Sequence, residues 1–166
     1  MRRISLITAI LIVLALGEAD AQETVFVVRH AERADGGAAS TMMTSDPELS
    51  EAGRARAESL AAALRDTGIT AIFVTEFKRT QQTAAPLAKK LGLQPIVVSS
   101  TASAALLEKV RATAGPVLVV GHSNTVPEVL LGLGIQNPPK LANSDYDNLF
   151  IVNRADKATL LRLHYR

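Results

Sequence analysis

Two histidines and two arginines in this sequence stand where chemistry on a phosphoryl group would need them. Arg29-His30 closes one β-branched run, Gly121-His122 closes another, and Arg79 follows a third with Glu76, Phe77 and Lys78 before it. A phosphoryl group carries about two negative charges near neutral pH, and planar guanidinium forks bind its oxygens through paired, charge-assisted hydrogen bonds. A neutral imidazole attacks phosphorus without first losing a proton. One His as nucleophile, with a second, protonated His and two Arg on the oxygens, therefore suggests covalent catalysis through a phosphohistidine. The sequence has no Cys, which excludes thiol catalysis, disulfide scaffolds, thiolate zinc sites and a lipidated cysteine. Its three His, at positions 30, 122 and 164, show no i, i+4 pairing, so no metal site and no cofactor is expected.

These residues act together only if the fold gathers them. Thr24 to Arg29 is a short β-branched run, apolar on both faces, as expected of a strand buried in a parallel sheet. A polar stretch, Ala34 to Glu48, reads as a surface loop. Ser50 then suits the N-cap of a helix whose Ala57, Leu60, Ala61 and Leu64 share one face and which ends before Gly68. A strand at Ala71 to Thr75 and helical residues from Thr80 to Leu91 follow, with Pro86 expected to kink that helix or delay its regular part. Pro95 to Ser99 reads as a strand and Ala104 to Thr113 as a helix. Val117 to Val120 is the strongest strand, and Pro127 fits the first turn of a short helix. Leu149 to Val152 and Thr159 to His164, around Asn153 to Lys157, form an expected hairpin.

Alternating strands and helices imply an α/β fold: a three-layer sandwich around a mostly parallel sheet, closed by a C-terminal antiparallel hairpin. Arg29-His30, Glu76 to Arg79 and Gly121-His122 each come just after a parallel strand. Ligands in open α/β sheets bind outside those strand ends, so three segments distant in sequence should converge on one crevice.

The same residues resemble a known family. Val27-Val28-Arg29-His30-Ala31-Glu32 is similar to the Arg-His-Gly/Ala signature of the histidine phosphatase (phosphoglycerate mutase-like) superfamily. Leu49-Ser50-x-x-Gly53, Thr75 to Arg79 with Thr80-x-Gln82-Thr83-Ala84, and Val120-Gly121-His122-Ser123-Asn124-Thr125 follow in the family's order. The resemblance spans residues 22–166 and is to short, insertion-free members. It implies that His30 accepts the phosphoryl group, that Arg29, Arg79 and His122 hold its oxygens, and that no metal takes part. Three cations around an in-line transfer are also what electrostatics would require. The family further places a carboxylic acid that protonates the leaving oxygen, often in an insertion, whereas Thr80 to Gly121 contains a single carboxylate, Glu108.

Glu32 is the favoured acid, because residues two apart in extended chain point the same way; a salt bridge to an Arg is its structural alternative. Asp145 or Asp147, beside Tyr146, would have to reach in from a late loop. A good leaving group, such as the imidazole of a phosphohistidine, would need no acid, and phosphohistidine phosphatases are among the family's short members. The expected substrate is thus a phosphorylated small molecule or a phosphoprotein.

Two competing readings come from the same residues. Gly121-His122-Ser123-Asn124-Thr125 nearly matches the Gly-x-Ser-x-Gly elbow of α/β-hydrolases, with Asp145, Asp147 or Asp156 and His164 following in order. A serine esterase on Ser123 would leave Arg29, His30 and Arg79 unexplained, and Thr125 stands where Gly is expected. A catalytically inactive phosphate-binding module would keep the fold and lose one of the four residues, and all four are present.

Length and composition fit one domain: 166 residues, 48% hydrophobic, 20% charged, with a formal charge of +2. Basic residues are spread along the chain and aromatics are few, so nucleic acid is not an expected partner. Met1-Arg2-Arg3, the apolar run Ile4 to Leu16 and Ala19-Asp20-Ala21 have the layout of a signal peptide cleaved after Ala21. Residues 1–21 would then be an address and residues 22–166 the domain, periplasmic or secreted, with no membrane partner after cleavage. A retained anchor is the alternative, though the run falls short of the ~20 residues that span a bilayer.

Overall fold

The computed structural model describes residues 24–36, 46–154 and 157–166; the proposed signal peptide lies outside them. The elements follow in the order β1 (Thr24–Arg29), α1 (Glu51–Leu64), β2 (Ala71–Val74), α2 (Lys78–Leu91), β3 (Ile96–Val97), α3 (Ser103–Ala112), β4 (Val117–Gly121), α4 (Thr125–Gly132), β5 (Asn148–Asn153) and β6 (Thr159–His164). They form one sheet in the order β3-β2-β4-β1-β5-β6. The first four strands in that order are parallel, whereas β5 runs antiparallel to β1 and β6 antiparallel to β5. The sheet is mixed and mostly parallel, as the pattern of elements implies.

Because successive side chains of a strand face opposite sides, β1 feeds two cores. Phe26 and Val28 pack with Leu118, Val120, Leu60, Leu64 and Leu87 on the α1/α2 side. Val25 and Val27 pack with Val117, Val119, Val126, Val129 and Phe150 on the α3/α4 side. Each such side chain removed from water contributes about 1.5–3 kcal/mol, so β1 is held from both faces at once. That makes its carboxyl end, where Arg29 and His30 sit, a rigid platform.

Two local expectations change. Helix α2 begins at Lys78 and runs unbroken through Pro86 to Leu91. Pro86 forfeits one backbone hydrogen bond, yet Ala84, Leu87 and Ala88 are buried around it, and this packing holds the helix together. The strand expected at Pro95 to Ser99 shrinks to Ile96–Val97. It is the sheet's edge, both residues are exposed, and short edge strands resist pairing with other chains.

Candidate active site

Strand pairing alone brings the two histidines together. Arg29 lies opposite Gly121 in the β1–β4 register, and the next residue's amide, that of His30, donates to the Gly121 carbonyl at 2.9 Å. The His30 and His122 rings consequently meet edge-on, centroids 5.3 Å apart. From the neighbouring strand, Thr75 places its hydroxyl 3.0 Å from Nε2 of His122. Arg79, in the first turn of α2, completes the cluster. His30 is 3% exposed, and Arg29, Arg79 and His122 are 7% exposed, so every charge here is desolvated.

Helix α2 explains the spacing after Arg79. Thr83 accepts from the amide of Ala31 at 2.9 Å and donates to the Arg79 carbonyl at 2.7 Å, tying the turn after His30 to the helix. Gln82 accepts from the amide of Leu49 at 2.8 Å. Ser50 caps α1 by accepting from Gly53, and its own amide donates to the Glu32 carbonyl at 2.9 Å. A Cβ at Gly53 would fall on that same carbonyl, which accounts for glycine in Leu-Ser-x-x-Gly.

Each arginine is stacked and incompletely paired. The Arg29 guanidinium lies 4.2 Å from the Tyr146 ring centre and donates to the carbonyls of Ala142 and Asn143 at 2.9 and 3.1 Å. Arg79 lies 4.1 Å from the Phe77 ring centre and 3.6 Å from an oxygen of Asp46. Nε of both is buried without a hydrogen-bond partner, and burial lowers both pKa values. Two desolvated cations with unused donors form a site that attracts an anion.

The histidines respond to the same field. Burial, opposed by the bond to Ala31 and reinforced by His122, Arg29 and Arg79, brings His30 down to about 3. Burial and then Arg79 push His122 down to about 4, with Glu76 opposing. Nδ1 of His30 lies 2.8 Å from the Ala31 carbonyl. A carbonyl only accepts, so Nδ1 carries the hydrogen and Nε2 of the neutral ring keeps its lone pair. That atom has the lone pair a nucleophile needs.

Glu32, Asp145 and Asp147 are each engaged by another group. Glu32 is clamped by Arg56, whose Nε reaches both carboxylate oxygens at 2.9 Å and whose terminal nitrogen reaches one at 2.6 Å. Burial alone would raise the Glu32 pKa, but the hydrogen bonds of Arg56, a backbone hydrogen bond and the Arg56 charge together outweigh it and hold the carboxyl below its ordinary range. This gives Glu32 the structural alternative, an ion pair, and makes it a poor proton donor. Asp147 pairs with His164 at 3.1 Å, Asp145 accepts from the amide of Ala142 at 2.8 Å, and Glu108 is exposed on α3. Ser123 makes no hydrogen bond to a histidine among the described residues, which leaves the esterase arrangement without its base. Among them, too, no group of three or more His, Asp or Glu is placed to hold a metal ion.

Three contributors have roles that the sequence does not assign to them. Asp46 receives the Lys78 amide at 2.9 and 3.1 Å and braces Arg79. Tyr146 backs Arg29. Glu76 accepts from the amide and hydroxyl of Ser100 at 2.8 and 2.9 Å beside His122. The signal available for Asp46 was an acidic residue just before Leu-Ser-x-x-Gly; Tyr146 follows the Pro-rich break and carries no periodic signal. A crevice between the sheet, α3 and α4 shares Thr75, Gly121 and Thr125 with this region, but none of the four cationic residues lines it.

Residues 25–102 match the family model described as the histidine phosphatase superfamily (branch 1). No curated protein sequence matches the chain. Among solved structures, the protein histidine phosphatase SixA complexed with tungstate superposes with a TM-score of 0.62 at 21% identity, covering 85% of this chain and 96% of that one. A mycobacterial glucosyl-3-phosphoglycerate phosphatase complexed with VO3 gives 0.67 at 16% identity, covering 83% and 97%. Its complex with inorganic phosphate gives 0.66 at 16%, covering 84% and 95%. At these identities the structural likeness establishes the fold.

Proposed function

We propose that this chain, whose residues 25–102 match the histidine phosphatase superfamily model, is a member of that superfamily and a hydrolase that moves a phosphoryl group from a phosphomonoester or a phosphohistidine to His30 and then to water. The observation that carries this reading is the Nδ1 hydrogen bond of His30 to Ala31, which leaves the Nε2 lone pair free in a ring that lies against His122 and within the field of two buried arginines. In the first step the Nε2 lone pair forms a bond to phosphorus while the bond to the leaving oxygen or nitrogen breaks and that atom keeps the electron pair. In the second, the oxygen of water bonds to phosphorus as the Nε2–P bond breaks, the electron pair returns to Nε2 so that His30 is again a neutral ring with its hydrogen on Nδ1, and phosphate departs with the protons of the water. Arg29, Arg79 and protonated His122 hold the oxygens in both steps, where the charge is concentrated.

With Glu32 committed to Arg56, the leaving group must be good or must take its proton from His122. Both substrate classes have counterparts among the similar structures, one described as a protein histidine phosphatase and one as a glucosyl-3-phosphoglycerate phosphatase. The arrangement of residues 1–21 adds export to the periplasm or the medium. A chain beginning at Gln22 in mass spectra of protein from the native host supports that, and an intact Met1 start in a cytosolic fraction refutes it.

Quenching turnover of a labelled phosphoryl donor without acid should trap label that is acid-labile and alkali-stable, as a phosphoramidate is. His30→Ala should abolish label and turnover together, and Ser123→Ala should spare both. The reverse pattern would replace the phosphatase by an esterase.

A further inference from the structure

The hydroxyl of Thr75 is buried among three groups: Nε2 of His122 at 3.0 Å, Oγ1 of Thr80 at 2.9 Å and the amide of Phe77 at 3.4 Å. Thr80, fully buried in the first turn of α2, has a single hydroxyl hydrogen. Two carbonyls lie within its reach, Phe77 at 2.8 Å and Thr75 at 3.2 Å, and its oxygen already accepts from the Thr75 amide at 3.1 Å. Carbonyls only accept. With the Thr80 hydrogen on the nearer carbonyl, the contact between the two hydroxyls has Thr75 as donor. The one hydrogen of Thr75 is then used, and its oxygen faces Nε2 of His122 as an acceptor.

We infer that Thr75 and Thr80 hold His122 in the Nε2–H form, so that Nδ1 is the single atom through which His122 takes up a proton and delivers it to the phosphoryl oxygens or the leaving group. Nδ1 makes no hydrogen bond among the described residues. This deepens the phosphatase reading and rests on it for the proton's destination, but the tautomer itself follows from the hydrogen-bond chain. If the chain ran the other way, Thr80 to Thr75 to Nε2, neutral His122 would carry its hydrogen on Nδ1 and would donate to an anion without being protonated.

The distinction has a mechanistic consequence. In the Nε2–H form, neutral His122 presents a lone pair at Nδ1 and repels an oxyanion, so anion binding must bring a proton with it. The groups acting on that proton are Arg79 and Glu76 from the β2–α2 turn, Arg29 and His30 from β1, and Asp46 from the loop before α1. The dianion supplies the attraction that His122 lacks among the arginines.

Thr75 and Thr80 are thus positioning residues, and the test reads the ring directly. Long-range proton–nitrogen correlation on the 15N-labelled full chain at neutral pH should show a protonated Nε2 and an unprotonated Nδ1 in His122. Titration with inorganic phosphate should then protonate Nδ1 with net proton uptake. Thr75→Val should yield mixed tautomers and lower kcat toward p-nitrophenyl phosphate by about 10- to 100-fold, as loss of an orienting partner does at other sites, with KM little changed. Thr75→Ser should restore both readouts. An Nδ1–H signal in the unmodified protein, or a Thr75→Val variant whose tautomer and kcat match the wild type, overturns the proposal. Since the tautomer is read without turnover, an enzyme that forms no phosphohistidine would refute the functional reading while leaving this assignment to be judged on its own spectrum.

Discussion

Arg56 reaches back from α1 to grip Glu32, two residues beyond His30, through three N–H···O contacts of 2.6, 2.9 and 2.9 Å, and its remaining nitrogen donates to the Tyr165 carbonyl at 3.0 Å. One guanidinium therefore fastens the turn after His30 to the first helix and to the end of the last strand. The carboxylate that sequence spacing offers as an acid is a structural tie.

Substituting Glu32 by Gln should consequently weaken the fold more than the chemistry. Hydrogen bonds to charged groups contribute about 1.5–3 kcal/mol, and partial exposure of this pair puts it at the lower end. The sign with pH follows from the lowered carboxyl. Its contribution is present above the ordinary carboxylate range and is lost as pH falls through the depressed folded value, so Glu32→Gln should flatten that part of the acid limb of Tm against pH. A folded Glu32→Gln protein with kcat reduced a thousandfold would instead make Glu32 the acid.

Buried arginines with unused donors predict opposite effects on stability and catalysis. Removing one partner from a buried charge cluster costs about 2–5 kcal/mol, so Arg29→Ala or Arg79→Ala should lower kcat/KM by roughly 30- to several thousand-fold. Arg79→Met, in contrast, relieves an incompletely paired desolvated cation and should leave Tm unchanged or raise it in phosphate-free buffer. Inorganic phosphate should raise the Tm of the wild type and not that of Arg79→Met. Equal phosphate stabilisation of both would take Arg79 out of the anion site.

Protonation of the two histidines should govern acid sensitivity. Their folded values, about 3 for His30 and about 4 for His122, lie below the ordinary 6.5. Between those values and 6.5 the unfolded chain binds more protons than the folded one, so stability declines as pH falls through that window, by several kcal/mol in total. Above about pH 7 the contribution is complete. For the free enzyme, kcat/KM should hold through mildly acidic pH and fall on the acid side where His30 becomes charged, while on the alkaline side it falls as the proton that His122 takes up becomes scarce, the two apparent titrations belonging to the coupled pair. A kcat/KM that halves at pH 6.5 would show that His30 is not desolvated.

The parts of this architecture legible in the sequence are those written in local pattern. Val25 to Val28 announce a doubly buried strand, and the strand's end then places Arg29 and His30. Gly121-His122 is found the same way. The parts that were not legible are single hydrogen bonds between distant segments. Nothing in the loop ending at Asp46 indicates that it caps α2, 32 residues on, and the partner of Glu32 lies 24 residues away on a solvated-looking helix face. The hydroxyl chain of Thr75 and Thr80 turns a corner between strand and helix, where neither the period of two nor that of 3.6 applies. At Ile96 and Val97, strand propensity was read correctly but overextended, because an edge position offers pairing on one side only.

Gly53 provides the sharpest separation of local propensity from tertiary packing. It sits in the first turn of α1, where replacing glycine by alanine in a free helix would contribute about 1 kcal/mol of stability. Here the added methyl would meet the Glu32 carbonyl, and the backbone nitrogen of Glu32 lies only 3.1 Å from its position. Backbone cannot move aside as a side-chain tip can. That carbonyl also accepts from the amide and hydroxyl of Ser50 at 2.9 and 3.3 Å, so pushing it away breaks the junction between the turn after His30 and the start of α1. Overpacking of this kind costs about 1–3 kcal/mol, which exceeds the propensity gain, and Gly53→Ala should lower the urea midpoint. Ala55→Gly, exposed in the same helix, should lose only the propensity difference and serves as the reference. The displaced turn should also reduce kcat/KM in Gly53→Ala under conditions where the protein is fully folded, whereas Ala55→Gly should not. A higher urea midpoint for Gly53→Ala would mean that the contact with Glu32 does not constrain the helix, and that the glycine of Leu-Ser-x-x-Gly has another cause.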